Sequence, residues 1–174
     1  AVGITFTAMM HPSKGIINAF LEMVGVGAVD WLGNANLALY SVIMVDVWKG
    51  LSISVVIYIA GIQSIDKTYY EAAMVDGANA WQRLTKITLP LCRSSVNTII
   101  ILSFISGLRC FDLIWAMTRG GPGFATDVVA SVIYKQYVAG FYGLSTAGNV
   151  IIFILIAVIA FPLQRFLLSR EVDV

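Results

Sequence analysis

The sequence is poor in charge, in cysteine and in histidine, and each scarcity excludes something. Only 12% of its 174 residues are Asp, Glu, Lys or Arg, about half of the roughly 25% usual in soluble domains. A mainly water-facing surface is therefore excluded. The net charge of +1 supplies no basic face for a phosphate backbone, so nucleic acid is excluded as a partner. Cys92 and Cys110 are the only cysteines. They stand in or beside apolar runs, without the spacing of a metal site or a disulfide framework, and read as two buried thiols. The lone histidine, His11, has no partner at ligand spacing and reads as a loop residue. The Gly-Gly-Pro-Gly run at 120–123 is a turn cluster. It lacks the following Lys-Ser/Thr of a phosphate-cradling loop. No nucleophile–base constellation is visible. The sequence thus predicts no catalytic residue, no metal and no cofactor.

What is present is apolar. Hydrophobic residues make up 59% of the chain and the mean hydropathy is +0.85, which points to an integral membrane protein. Full spans are expected at about 36–61, 96–118 and 144–168, each long enough to cross a core of about 30 Å at about 1.5 Å per residue. A partial span at about 1–10, "AVGITFTAMM", has no basic start and does not read as a signal peptide. It reads as the cut end of a longer apolar segment, so the chain is expected to be the C-terminal part of one transmembrane domain. A polar and Gly-containing connector follows it. The expected fold is all-α, a polytopic bundle with a cytoplasmic loop at about 62–95. Lys67, Arg83, Lys86 and Arg93 lie in that loop, and Arg165 and Arg170 in the C-terminal tail; Lys14, Arg119 and Lys135 lie on the other side. The richer side is assigned to the cytoplasm, which puts the loop and the C-terminus inside.

The loop holds "EAAMVDGANAWQRLTKITLPL", Glu71 to Leu91, a charged and small-residue stretch between oily ones. Asp66 can cap a helix starting near Lys67, Gly77 can end it in the left-handed conformation, and a second short helix, about 80–87, leads to Pro90. Ala72, Ala73, Gly77, Ala78 and Ala80 leave room for another surface to approach, with Glu71 and Asp76 beside it. From its residues alone the stretch is either a solvated helical loop or a docking surface.

Glu-Ala-Ala, three residues, Gly, nine residues and Ile-Thr-Leu-Pro is similar, without a gap, to the EAA signature of the membrane subunits of binding-protein-dependent ABC importers. In that family the stretch is the coupling helix, docked in a cleft of the ATPase subunit. The resemblance implies ATPase-coupling roles for Glu71, Ala72, Ala73, Asp76, Gly77, Ala78, Ile87, Leu89 and Pro90. "FDLIWAMTRGGPGFAT", the connector from His11 to Gly50, and "FYGLSTAGNVIIF" resemble sugar permeases of the maltose and glycerol-phosphate type. The implied partners are a cytoplasmic ATP-binding subunit, a second permease subunit, an extracytoplasmic solute-binding protein, a sugar-type substrate and membrane lipid. The implied location is the inner membrane.

Two readings compete with this one. A permease of another branch, for amino acids or phosphate, would share the coupling signature but not "FDLIWAMTRGGP". A secondary transporter or channel would need no ATPase docking helix.

Gly107, Phe111, Asp112 and Asn149 are the candidate translocation-path residues. Asp46 with Lys49 and Arg109 with Asp112, each three apart, either neutralise one another on one helix or line a polar path. Ser145, Thr146 and Asn149 either hydrogen-bond sugar hydroxyls or tie helices together. Phe111 and Trp115 either stack on a sugar ring or anchor the interface.

Overall fold

A computed structural model describes residues 1–169, and among these every regular element is helical. In chain order the elements are α1 (Val2–Met9), α2 (Ile16–Met23), α3 (Ala35–Gln63), α4 (Lys67–Val75) and α5 (Ala80–Arg83). A π-turn (Leu84–Thr88) precedes α6 (Leu89–Leu91), α7 (Arg93–Leu108), α8 (Asp112–Met117), α9 (Val129–Val138) and α10 (Tyr142–Leu168). Among the described residues α3 and α10 are each long and apolar enough to span a membrane alone; 80–91 and 93–108 would make a third candidate as a pair bent by 60°. On α10, Ile151, Phe153, Val158 and Phe161 are all more than half exposed, as expected where acyl chains or neighbouring helices replace water.

The chain forms two compact units. The first comprises Ala1–Lys49 and Leu108–Leu155. Its core is Met10, Val42, Val45, Leu113, Ile114 and Met117, with Phe6, Trp31 and Leu32 packed around it. α1 crosses α8 closely because Gly3 faces Ala116; a Cβ on Gly3 would lie 2.8 Å from that of Ala116. The connector after α1 is held by one side chain. Asn18 is 2% exposed. Its Nδ2 donates to the carbonyls of Pro12 (2.9 Å) and Val29 (2.8 Å), and its Oδ1 accepts from Val29 N (3.2 Å) and Trp31 Nε1 (2.9 Å).

The second unit comprises Gly50–Gly107 and the chain from Ile156. Here Asn97 Nδ2 donates to the carbonyl of Leu167 (3.1 Å). A Cβ on Gly61 would run into the Ser95 side chain, so α3 and α7 approach closely at a pair of small residues.

One helix differs from expectation. The sequence predicts continuous helix over about 96–118, but α7 stops at Leu108 and helix resumes only at Asp112. Phe111 leaves the helical region (φ −129°, ψ −54°), and Asp112 stands in the first turn of α8, where a carboxylate suits the positive helix end. Arg109 and Asp112 are therefore not on one helix. The sole ion pair among the described residues joins Lys135 and Asp127, so neither they nor Asp46 and Lys49 neutralise each other as salt bridges. The thiols also differ from one another: Cys92 is buried, whereas Cys110 is only half-buried.

Candidate functional site

Two places carry the residues singled out above. The first is the connection from α3 to α7. The Asp66 side chain accepts from Thr68 N (2.9 Å) and caps α4; that bond holds its carboxyl below the usual carboxylate range. Gly77 has φ +73°, and its turn closes through Gly77 N to Met74 O (3.1 Å) and Ala78 N to Ala73 O (2.9 Å). α5 then begins in a capping box: Gln82 N donates to Asn79 Oδ1, and Asn79 N donates to Gln82 Oε1, both at 2.8 Å, satisfying donors a helix start leaves open. Tyr70 Oη and Thr88 Oγ1, 2.9 Å apart, tie α4 to the π-turn. Glu71, Ala72, Asp76 and Gly77 are exposed, Ala78 and Ile87 half-buried, and Ala73 turns inward at 8%. Leu89 is exposed, and Pro90 sits in the first turn of α6.

Sequence reasoning missed the apolar part of this surface. Met74, Val75 and Trp81 are 53%, 89% and 70% exposed. Large apolar side chains inside an otherwise polar connector were the available signal.

The second place is a cavity of about 340 Å³ in the first unit. Arg109, Phe111, Tyr134, Tyr137, Ser145 and Asn149 line it. Phe111 and Trp115 stack with ring centroids 5.7 Å apart, and Tyr134 meets both, at 5.0 and 4.7 Å. The Asn149 amide donates to the carbonyl of Ser145 (3.1 Å). Of the four path candidates, Phe111 and Asn149 line this cavity. Asp112 is exposed and not part of its lining, and a Cβ on Gly107 would meet open space.

The loop from Thr118 to Val128 is fastened by polar groups. Thr126, fully buried, meets Thr118 Oγ1 at 2.7 Å and donates to Gly121 O at 2.8 Å. Asp127 accepts from Lys135 (2.7 and 2.8 Å) and from Ser131 (2.8 Å). Burial pushes the Asp127 carboxyl up, but the bonds from Lys135 and Ser131 and the lysine charge more than offset it, leaving its pKa lowered. Its stabilisation is then complete above the usual carboxylate range and fades as pH falls through the lowered value. Asp127→Asn is expected to speed amide hydrogen exchange over 118–128 at neutral pH by roughly tenfold, the scale of one charge-assisted hydrogen bond. It should also flatten the acid dependence of that exchange. Unchanged exchange would show that the pair does not hold the loop.

The model of the family described as binding-protein-dependent transport system inner membrane component matches residues 1–172. The trehalose/maltose transport system permease protein MalF of Thermococcus litoralis is 37% identical over 152 residues, 87% of this chain and 52% of that protein. The sulfoquinovosyl glycerol transport system permease protein SmoG of Agrobacterium fabrum is 34% identical over 137 residues, 79% of this chain and 44% of that protein. The chain thus spans about half the length of the curated relatives it matches. Among solved structures, a bacterial ABC transporter involved in the import of the acidic polysaccharide alginate superposes with a TM-score of 0.86 at 26% identity, covering 97% of this chain and 59% of that one. The bacterial alginate ABC transporter in complex with an alginate pentasaccharide-bound periplasmic protein gives 0.79 at 28% identity, covering 95% and 57%.

Proposed function

Since this chain belongs to the family of binding-protein-dependent transport system inner membrane components, we propose that it is part of the permease subunit of an ATP-driven importer for a sugar or sugar derivative. One observation carries the reading. The Glu71-to-Pro90 signature lies on a capped, exposed helix–turn–helix whose turn depends on Gly77 at φ +73°. A separate cytoplasmic ATP-binding subunit hydrolyses ATP and grips this element through Glu71, Ala72, Asp76, Gly77 and Ala78. Ala73, Ile87 and Pro90 hold its shape, and Leu89, exposed beside them, belongs to the docking surface. Met74, Val75 and Trp81 add apolar contact area.

A second permease subunit completes the path, and an extracytoplasmic solute-binding protein delivers the substrate, as a periplasmic protein is bound to the alginate transporter. Access alternates between the two sides as nucleotide and loaded binding protein bias a two-state protein. Lys67, Arg83, Lys86, Arg93 and Arg165 support a cytoplasmic loop and C-terminus; Arg170 lies outside the described residues. The path includes Phe111 and Asn149, with Gly107 and Asp112 as further candidates. The sugar class is supported by the relatives' names and by aromatic rings and an amide around one cavity, a lining suited to ring faces and hydroxyls.

The test is purification of the complex from membranes through a tag on this protein. An ATPase and a second permease should co-purify, and sugar-loaded binding protein should stimulate ATP hydrolysis in proteoliposomes. Glu71→Lys is expected to cut ATPase retention at least tenfold, because a reversed charge at a docked helix costs more than about 1.4 kcal/mol. Unchanged retention and uptake in Glu71→Lys would remove the docking role of this carboxylate.

A further inference from the structure

We infer that Tyr70 is a positioning residue for transport. Through its hydrogen bond to Thr88 it makes α4 and the arm from Ala80 to Leu91 turn as one body, so that ATP hydrolysis drives uptake; the inference deepens the ATPase-coupling reading above and rests on it. The chain itself joins the two pieces loosely. α4 and its turn are closed as far as Ala78, by Gly77 N to Met74 O and Ala78 N to Ala73 O. The next piece opens at Asn79, whose capping box is made wholly with Gln82. Among the described residues no backbone hydrogen bond crosses from one piece to the other. The joint is therefore the link between Ala78 and Asn79, where only soft backbone dihedrals resist rotation.

A second point of attachment makes such a joint rigid. Tyr70 stands roughly 10 Å along α4 from it, at about 1.5 Å per residue. Its Oη lies 2.9 Å from Thr88 Oγ1, part-buried, across 18 positions of sequence. Thr88 Oγ1 donates to Arg83 O (3.4 Å), so its oxygen accepts from the Tyr70 hydroxyl. The wide π-turn puts the carbonyl five positions back within reach of Thr88, where a threonine in an α-helix reaches three or four back. One chain of bonds thus runs from α4 through Thr88 into α5. Tyr70 shares the inward face of α4 with buried Ala73, while Glu71, Ala72 and Met74 are exposed. The Tyr70 hydroxyl therefore serves the arm, and the opposite face of α4 is left for the ATPase.

The experiment uses the whole importer, with its binding protein, in proteoliposomes. It reads the ATP hydrolysed per sugar carried, for a labelled sugar whose loaded binding protein stimulates hydrolysis. Tyr70→Phe removes one oxygen of the pair and Thr88→Val the other. Each is expected to leave the ATPase co-purifying and its hydrolysis stimulated, and to raise the ATP hydrolysed per sugar about fivefold, the scale of one neutral hydrogen bond. Thr88→Ser keeps the hydroxyl and should stay near the unaltered ratio. The double variant Tyr70→Phe/Thr88→Val should be no worse than either alone, because both remove the same bond. A merely structural role would lower the amount of complex and leave the ratio of the surviving complex unchanged, and that result overturns the inference. So do losses that add in the double variant. Release of the ATPase by Tyr70→Phe also overturns it, because the hydroxyl then belongs to the docking contact. If no sugar-loaded binding protein stimulates hydrolysis in the unaltered importer, the importer reading itself fails, and the inference with it.

Discussion

Gly77→Val is expected to leave the protein in the membrane, release the ATPase and lower uptake at least about tenfold, equivalent to about 1.4 kcal/mol of lost coupling. A branched residue at φ +73° costs about 1–2 kcal/mol in the left-handed region. That is enough to open the turn closed by Gly77 and Ala78, and too little to unfold a membrane protein. A Cβ at this position meets nothing within 4 Å among the described residues, so any steric obstruction would come from beyond them. Gly77→Asn separates the two causes. Asparagine tolerates the left-handed conformation, so it should retain much of the uptake if the turn is decisive. If bulk in a partner's cleft is decisive, it should fail like valine. Membrane abundance, ATPase co-purification and uptake are measured together. Full uptake with the ATPase retained in Gly77→Val would end the coupling assignment.

Asn18→Ala should be the most damaging substitution outside that loop. One amide serves four groups in a site that is 2% exposed. Each buried group left unmade costs about 1–3 kcal/mol, partly recovered where water enters, so a net loss of about 3–5 kcal/mol is expected. The readout is the melting temperature of the detergent-solubilised complex. Asn18→Asp should be no better, because it turns a carboxylate oxygen toward the Pro12 and Val29 carbonyls. A wild-type melting temperature in both variants would show that the connector is held by something else.

These two positions also mark the reach of sequence reasoning. Asp66, Gly77 and Pro90 act on their immediate neighbours, so cap, turn and helix start were legible residue by residue. Asn18 acts on groups 11 and 13 positions away, and nothing in an Asn among apolar residues announces that. The interruption between α7 and α8 was hidden because Cys110 and Phe111 continue the apolar run. A pair that looked like helical neighbours, Arg109 and Asp112, was separated by it. The cavity was half legible. Phe111 and Asn149 stood out as an aromatic and an amide at span ends, whereas Tyr134 and Tyr137 belong to α9, whose place beside them is a tertiary fact.

The 60° bend at Cys92, between 80–91 and 93–108, has a mechanical consequence. A straight rod pushed from one end only slides. A rod with an elbow resolves the same thrust into a smaller component along its far arm and a larger one across it. A force applied to the short arm, from Ala80 to Leu91, therefore reaches α7 mainly as torque. Stiffening that arm, as the capping box and the Tyr70–Thr88 contact do, raises the share of the thrust that arrives as tilt.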